Sequence, residues 1–418
     1  MTEVAPGDEE IGQFATLATA FLDRHAKRRP ERLGQLRWGE GSDDIAVLEV
    51  HADADAERRD LTAAQAWRAT VFDAGFGWLG GPVEYGGGGR NPVLDDVYRG
   101  LESGYEVPNQ NIIASGTALV APAVIGHGSA EVKARYLRGV FRGDLVCCQL
   151  LSEPDAGSDL AGLHTRAVRD GGEWVVTGQK VWSSYAHLAR VGQLLARTDP
   201  DAPRHAGLTM FLVDMDSPGV AVRPLRMMTG EAHFNEIFLD EVRIPDHNRV
   251  GAVGQGWQAT ITTLMSERAA VGGGATSPAM DPVHRVTALA RHLRRDSIGI
   301  GIGIGDPLLR QRLADVHIHE RLLRYLGLRQ EAALAAGRPP GPEGSVMKLL
   351  YSQQARRIGE LAADLLGPAV TADNGEWGTF AWARWVCGAP LLRIAGGTDE
   401  IQRNTLAERV LGLPREQR

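Results

Sequence analysis

The sequence predicts an α+β fold in which helical, strand-rich and helical units follow one another. Three observations carry that expectation. The chain has 418 residues, more than one ordinary hydrophobic core organises, so two or three packed units are needed. Apolar residues recur at three- and four-residue steps through the first third, at two-residue steps from about Leu145, and at the helical period again from Gly256. Helices and strands are therefore segregated along the chain rather than alternating as βαβ units. The expected boundaries are 1–144, 145–250 and 251–418.

In the first unit, Phe14, Leu17, Ala18, Phe21 and Leu22 mark one face of a helix, and Ala64, Trp67, Ala69, Val71 and Phe72 mark another. Residues 30–60 between them are charged and irregular, which predicts a surface excursion. The Gly-rich stretch from Gly75 to Gly89 breaks the period, which resumes near Pro92 and ends with a helix over Glu131 to Arg142. In the middle unit, Glu173 to Trp182 reads as a strand, a turn containing Gly178 and a second strand. Leu208 to Val213, Gly219 to Leu225 and Phe234 to Ile244 add further strands, and Pro245, Asp246 and Asn248 close the unit. The last unit is helical through Trp257, Ile261, Leu264, Met265 and Val271, then over Leu308 to Gly327 and Val346 to Leu366. The Ile-Gly alternation from Ile298 to Gly305 is a short biased loop.

Composition narrows the function classes. Hydrophobic residues make up 43% and charged residues 23% of the chain, which argues against disordered, collagenous and membrane-spanning classes. Lys and Arg number 45 against 52 Asp and Glu, a net charge of −7, so no basic field draws the chain to nucleic acid. Small molecules or proteins are the expected partners. Cys147, Cys148 and Cys387 form no disulfide framework. The acidic start lacks a charged-then-apolar leader, and no run of about eighteen apolar residues occurs. A cytoplasmic location without membrane insertion is expected.

Several motifs carry little. Gly75 to Gly80 satisfies G-x-G-x-x-G but follows a helix where a dinucleotide site needs a strand, and Gly254 and Gly256 serve a loop more simply. His317 and His319 do not share a helix face, so they read as helix surface and no metal is expected. Neither a hydrolase elbow nor a P-loop occurs.

Three segments carry more. Gln149-Leu-Leu-Ser-Glu-Pro-Asp-Ala-Gly-Ser-Asp159 places hydroxyls and turn formers at the entry to the strand-rich unit. Gly178-Gln-Lys-Val-Trp-Ser-Ser184 puts a flat aromatic ring beside two hydroxyls, as ring stacking needs. Ile394-Ala-Gly-Gly-Thr-Asp-Glu-Ile-Gln-Arg-Asn404 runs into Ala407-Glu-Arg-Val-Leu-Gly-Leu-Pro-Arg415 as a glycine turn before a terminal helix. With Gly86-Gly87 after Glu84-Tyr85, Gly126 to Glu131, and Asp240-Glu-Val-Arg-Ile-Pro245, this ordered set resembles the acyl-CoA dehydrogenase family of flavoproteins across nearly the whole chain.

The resemblance implies an N-terminal helical domain, a middle β-barrel-like domain and a C-terminal helical bundle. It implies an FAD whose ring lies between the middle domain and the C-terminal helices. The positions it assigns to FAD are Leu151, Ser152, Gly157, Trp182, Ser184, Arg295, Thr398 and Glu400. Ser152 stands near the pyrimidine end, Trp182 beside the ring, and Ser184 near N5, while Leu151 also lines the acyl pocket. Ser158, meeting the pantetheine arm, joins Arg268 and Ala395 as substrate positions. The implied reaction converts an acyl-CoA of fatty acid or steroid catabolism to its trans-2-enoyl-CoA and passes electrons to an electron-transfer flavoprotein. The implied assembly is a homodimer or homotetramer, or a heterotetramer with a related chain.

Removing an α-proton needs a carboxylate near that carbon and donors on the thioester oxygen. Many family members carry the carboxylate just before the Gly-Thr of the C-terminal loop, where this chain has Gly396. Members of the isovaleryl and long-chain kind carry it on the first helix of the C-terminal domain, and the matching residue here is Glu267. Glu267 lies three residues after Leu264 and four before Val271, so it shares their apolar face, where burial raises a carboxyl pKa. A structural ion pair is the competing reading of Glu267. The main-chain N–H of Gly396 is free of any side-chain requirement and serves as the oxygen's donor, and the small pair Ala395-Gly396 leaves room for a branched or bulky acyl group.

Two departures favour a different assignment. The family's Arg-x-x-Phe-Gly motif survives only as Arg295-Asp-Ser-Ile298-Gly299, and its Gln-x-x-Gly-Gly motif is not recognisable near Leu366 to Gly378. A catalytically incomplete partner subunit of a heteromer, of the steroid side-chain type, is thus the second reading. An oxidase or flavin monooxygenase on the same fold is the third.

Overall fold

The computed structural model describes residues 7–29, 38–48, 51, 53–272, 281–296, 305–335, 341–342 and 344–415, a few helix-end side chains excepted. The chain divides into two compact units. Met1–Glu31, His51–Met227 and Ala232–Ser266 form the first, and Arg32–Val50, Met228–Glu231 and Glu267–Arg418 the second.

The first unit begins with helices α1 (Asp8–His25), α2 (Ala54–Asp73) and α3 (Val93–Glu102). Their apolar faces meet in one core through Phe14, Ala18, Leu22, Trp67, Val71, Leu94 and Tyr98, as the helical period requires. A short pairing of β1 (Lys27–Arg28) with β2 (Tyr105–Glu106) follows α1. Asp53 caps α2 by accepting the Ala56 N–H at 2.7 Å. The Gly75–Gly80 run follows α2 directly, with no strand before it. A Cβ on Gly77 would stand 2.5 Å from Phe72 Cα, so this glycine serves close packing rather than phosphate binding. Further on, α4 (Asn111–Ser115), α5 (Ala121–His127) and α6 (Ala130–Arg142) lead into the sheet.

The sheet comprises β3 (Cys147–Leu150), β4 (Arg166–Asp170), β5 (Glu173–Ser184), β6 (Val191–Arg197), β7 (Leu208–Asp214), β8 (Val220–Leu225), β9 (Phe234–Pro245) and β10 (Arg249–Val250). Its order is β10-β7-β6-β4-β5-β9-β8, with β3 paired in parallel to β6. One expectation is corrected here. Gly178 is not a turn but lies inside β5, where a Cβ would collide with Thr165 at 2.3 Å; the turn is Gly171-Gly172, between β4 and β5. The strands β3, β4 and β6 were not visible in the period. β6 and most of β3 are buried on both faces, and such strands lose the alternation that marks a half-exposed one.

The second unit contains α8 (Pro282–Asp296), α9 (Pro307–Ala335), α10 (Gly344–Leu366), α11 (Ala381–Gly388) and α12 (Asp399–Arg409), together with the residues from Glu267 onward of α7 (Gly256–Gly272). Their core is built from Val286, Leu289, Ile358, Leu361, Trp382 and Trp385, and Ile45 joins it at 1% exposure. The described part of the 30–60 stretch is therefore not all surface. Ile45-Ala46-Val47 is an apolar plug within an acidic stretch, too short for any period to show. The biased loop from Ile298 falls outside the described residues up to position 304. Among the described residues, no helix is long and apolar enough to cross a membrane.

Candidate active site

In the first unit, β3 delivers the chain to buried Leu151 and half-buried Ser152. Glu153 and Ala156 then exchange two backbone hydrogen bonds of 3.1 Å, closing a turn that exposes Gly157 and Ser158. Asp159, the next residue, pairs with Arg204. The Val181 N–H donates to the Ser152 carbonyl at 2.9 Å, which fixes the turn against β5. At the next residue the register of β5 against β9 slips between Lys180 and Ser183. Trp182 sits in that bulge with φ +64°, a left-handed backbone that bulky side chains rarely adopt. Its indole is 61% exposed and meets Phe234 edge-on at 6.0 Å. Ser184 follows, half-buried, and the buried Ser183 Oγ has no hydrogen-bond partner among the described residues.

Behind this display lies a buried ion pair. Lys180 is fully enclosed, and its Nζ donates to the Leu151 carbonyl at 2.9 Å and to Glu153 Oε1 at 2.8 Å. The Glu153 carboxylate also accepts the His164 N–H at 2.6 Å and the Thr165 N–H at 2.9 Å. Burial pushes the Lys180 ammonium down to about 8, with the Glu153 charge opposing that shift. Glu153 ends below the usual carboxyl value: burial pushes it up, but Lys180 and the hydrogen bonds outweigh that.

In the second unit, the 394–400 loop turns through Gly396 and Gly397 at φ +66° and +87°. The buried Gln402 side chain donates to both of their carbonyls, at 2.9 and 3.2 Å. Thr398 caps α12 by accepting the Ile401 N–H, so its hydroxyl is committed to the helix start. Glu400 is exposed, and its own backbone N–H and then the Thr398 hydroxyl hold its carboxyl below the usual value. Asp399 is buried, accepting from Ser352 Oγ at 2.9 Å and from Arg393 Nε at 3.0 Å. Lys348, also buried, donates to the Leu392 carbonyl at 2.5 Å, and the charges of Asp399 and Glu267 act on it. Glu267 is half-buried on α7. A Cβ built on Gly396 would meet Glu267 Oε1 at 3.4 Å, so this carboxylate lies against the glycine. Ala395 is exposed beside it.

Each unit thus gathers its own sequence-predicted residues: Leu151, Ser152, Trp182 and Ser184 in the first, Glu267, Ala395, Gly396, Thr398 and Glu400 in the second. Arg268 and Arg295 lie on α7 and α8, but their side chains fall outside the described residues, as do Ile298 and Gly299. Sequence reasoning passed over Glu153, Lys180, Lys348, Asp399 and Gln402. A signal existed for Lys180, because it shares the inward parity of Trp174 and Val176 on β5. His317 faces Glu320 at 3.6 Å and His319 faces Asp315 at 3.3 Å on α9. Among the described residues, no group of His, Cys, Asp or Glu side chains could hold a metal ion.

An exposed indole on a strained bulge, with an unpartnered buried hydroxyl one residue on, fits a flat heteroaromatic group such as a flavin. Comparison with known proteins points the same way. Models of the acyl-CoA dehydrogenase N-terminal, middle and C-terminal domains match residues 44–144, 148–242 and 254–411. Acyl-CoA dehydrogenase IpdE1 of Mycobacterium tuberculosis is 36% identical over 374 residues, which cover 89% of this chain and 94% of that one. Acyl-CoA dehydrogenase FadE34 of the same organism is 42% identical over 305 residues, 71% of this chain but only 39% of that longer protein. Among solved structures, the ChsE4-ChsE5 complex from M. tuberculosis superposes with a TM-score of 0.69 at 27% identity, covering all of both chains. The chain belongs to the acyl-CoA dehydrogenase family of FAD-dependent oxidoreductases.

Proposed function

We propose that this protein oxidises an acyl-CoA thioester to its trans-2-enoyl-CoA, with Glu267 as the base that takes the α-proton. The observation that carries this reading is the place of the Glu267 carboxylate, 3.4 Å from the Cβ position of Gly396. A carboxylate held there lies against a glycine that carries no side chain of its own. Glu267 accepts the proton on its oxygen, while the Gly396 N–H donates to the thioester carbonyl and stabilises the negative charge that develops there. When bound, FAD supplies the acceptor for the β-hydrogen and its electron pair, which an electron-transfer flavoprotein later removes. Trp182 offers its face to the ring, Leu151, Ser152, Gly157 and Ser184 line the same display, and Arg295, Thr398 and Glu400 are further cofactor positions. Ser158, Arg268 and Ala395 receive the substrate, and small Ala395 and Gly396 favour a branched or bulky acyl group. The family-model matches support the three-part division at 144/145 and 250/251, and a cytoplasmic site of action accompanies this reading.

A second reading makes the chain one half of a heteromer. It is favoured by the missing Gln-x-x-Gly-Gly pattern near Leu366 to Gly378 and by the likeness to a complex of two different chains. One anaerobic titration decides: the visible spectrum of the protein expressed alone, as straight, branched and steroid acyl-CoAs are added. Bleaching by one class supports the complete dehydrogenase and names its substrate. A colourless protein that fails to take up FAD sinks that reading in favour of the heteromer.

A further inference from the structure

We propose that Lys180 and Glu153 are positioning residues whose buried pair sets the backbone on which the flavin-facing groups are displayed. The inference rests on the reading of Ser152 and Trp182 as flavin contacts. Its geometry lies wholly within the first unit. Lys180 Nζ holds the Leu151 carbonyl at 2.9 Å and Glu153 Oε1 at 2.8 Å, so it grips the turn on both sides of Ser152. Between these anchors, the Val181 N–H holds the Ser152 carbonyl itself. Glu153 carries the constraint onward by accepting the His164 and Thr165 N–H groups, where the chain enters β4. The other end of the brace is β5: Lys180 stands two residues before Trp182, at the edge of the register slip.

This placement answers two physical questions. A left-handed tryptophan persists only where its surroundings over-determine the backbone, and the brace ends where that conformation begins. An ion pair with exposures of 0% and 5% is a poor route to stability, because desolvation consumes what the charges gain and apolar replacements of like volume often fold as well. What a satisfied buried pair adds is one fixed arrangement of the groups it joins. Neither residue needs to touch the flavin or the substrate.

The test compares wild type with the double variant Lys180→Met, Glu153→Leu, and with the milder Glu153→Gln in case the double variant does not fold. Three quantities are measured: melting temperature, FAD dissociation constant, and amide hydrogen exchange at Val181 to Tyr185. The expected result is a melting temperature within a few degrees of wild type, an FAD dissociation constant raised at least tenfold, and exchange at Val181 to Tyr185 at least tenfold faster. Glu153→Gln moves both site readouts in the same direction by a smaller factor. A folded variant with wild-type FAD affinity overturns the proposal. If the wild-type chain takes up no FAD by itself, unchanged exchange in this segment overturns it. No acyl-CoA enters these measurements, so a failure of the proposed reaction shows separately, as absent bleaching by wild type.

Discussion

The Ser152–Trp182 turn of the first unit and the glycine loop of the second display their chemistry in opposite ways. At Trp182 a large side chain is pushed outward on a strained backbone, held by charged side chains buried behind it. At Gly396 the display is the main chain itself, bare of a side chain, with the Glu267 carboxylate laid against it. Both loops are nevertheless braced alike, by an enclosed polar side chain donating to backbone carbonyls: Lys180 in one, Gln402 and Lys348 in the other. The contrast teaches that what a site shows to its ligand and what holds it in place are separate sets of residues. Substitutions should separate them.

The largest effect is expected at Glu267. Glu267→Gln keeps shape while removing the base, and should slow acyl-CoA-dependent bleaching by roughly 10²–10⁴-fold, with the flavin spectrum of the resting protein unchanged. Equal bleaching rates would erase the distinction drawn for the second unit. Trp182→Ala comes next. Losing a stacking face costs about 1–3 kcal/mol of binding, so FAD affinity should fall about ten- to a hundredfold, while thermal stability barely moves because the indole is mostly exposed.

A pH series sharpens the comparison further. Lys180 is held down to about 8 by burial, against an ordinary 10.5, so above pH 8 it gives up the proton that pairs it to Glu153. FAD retention should decline from pH 7.5 to 9.5 in wild type, and the step should vanish in Lys180→Met. The sign for folding is opposite. As pH rises through about 8 the folded chain loses the proton while the unfolded chain still holds it, so this group's contribution to stability rises with pH. The smallest effect is expected of Thr398→Ala, which removes the cap of α12 and should cost about 1 kcal/mol, read as a modestly lower melting temperature.

Much of the architecture was legible because half-buried helices and strands carry their period in the sequence. α1, α2, α7, α9, α10, β7, β8 and β9 all fall on the predicted runs. The failures have physical causes. β6 is buried on both faces, so no alternation marks it. Gly178 looked like a turn because a glycine between two apolar runs reads as punctuation, whereas it is there because Thr165 leaves no room for a Cβ. Ile45 joined a core far along the chain, which no local pattern can announce. Trp182 and Glu267 stand out in the sequence as motif positions, but the buried side chains behind their loops, Lys180 and Gln402, do not.

The amino-acid order by itself determined the succession of helical and strand-rich segments, the family, and the motif residues around Ser152, Trp182 and Gly396. Periodicity and short motifs are local properties, and local properties survive in one dimension. Only the tertiary structure decided that Trp182 is left-handed and exposed, that Lys180 and Glu153 meet with no water between them, and that the Glu267 carboxylate comes to rest on Gly396, 129 residues away in the chain. Such juxtapositions depend on how distant segments fill space together, and the energy that fixes them is counted only once both partners have left water.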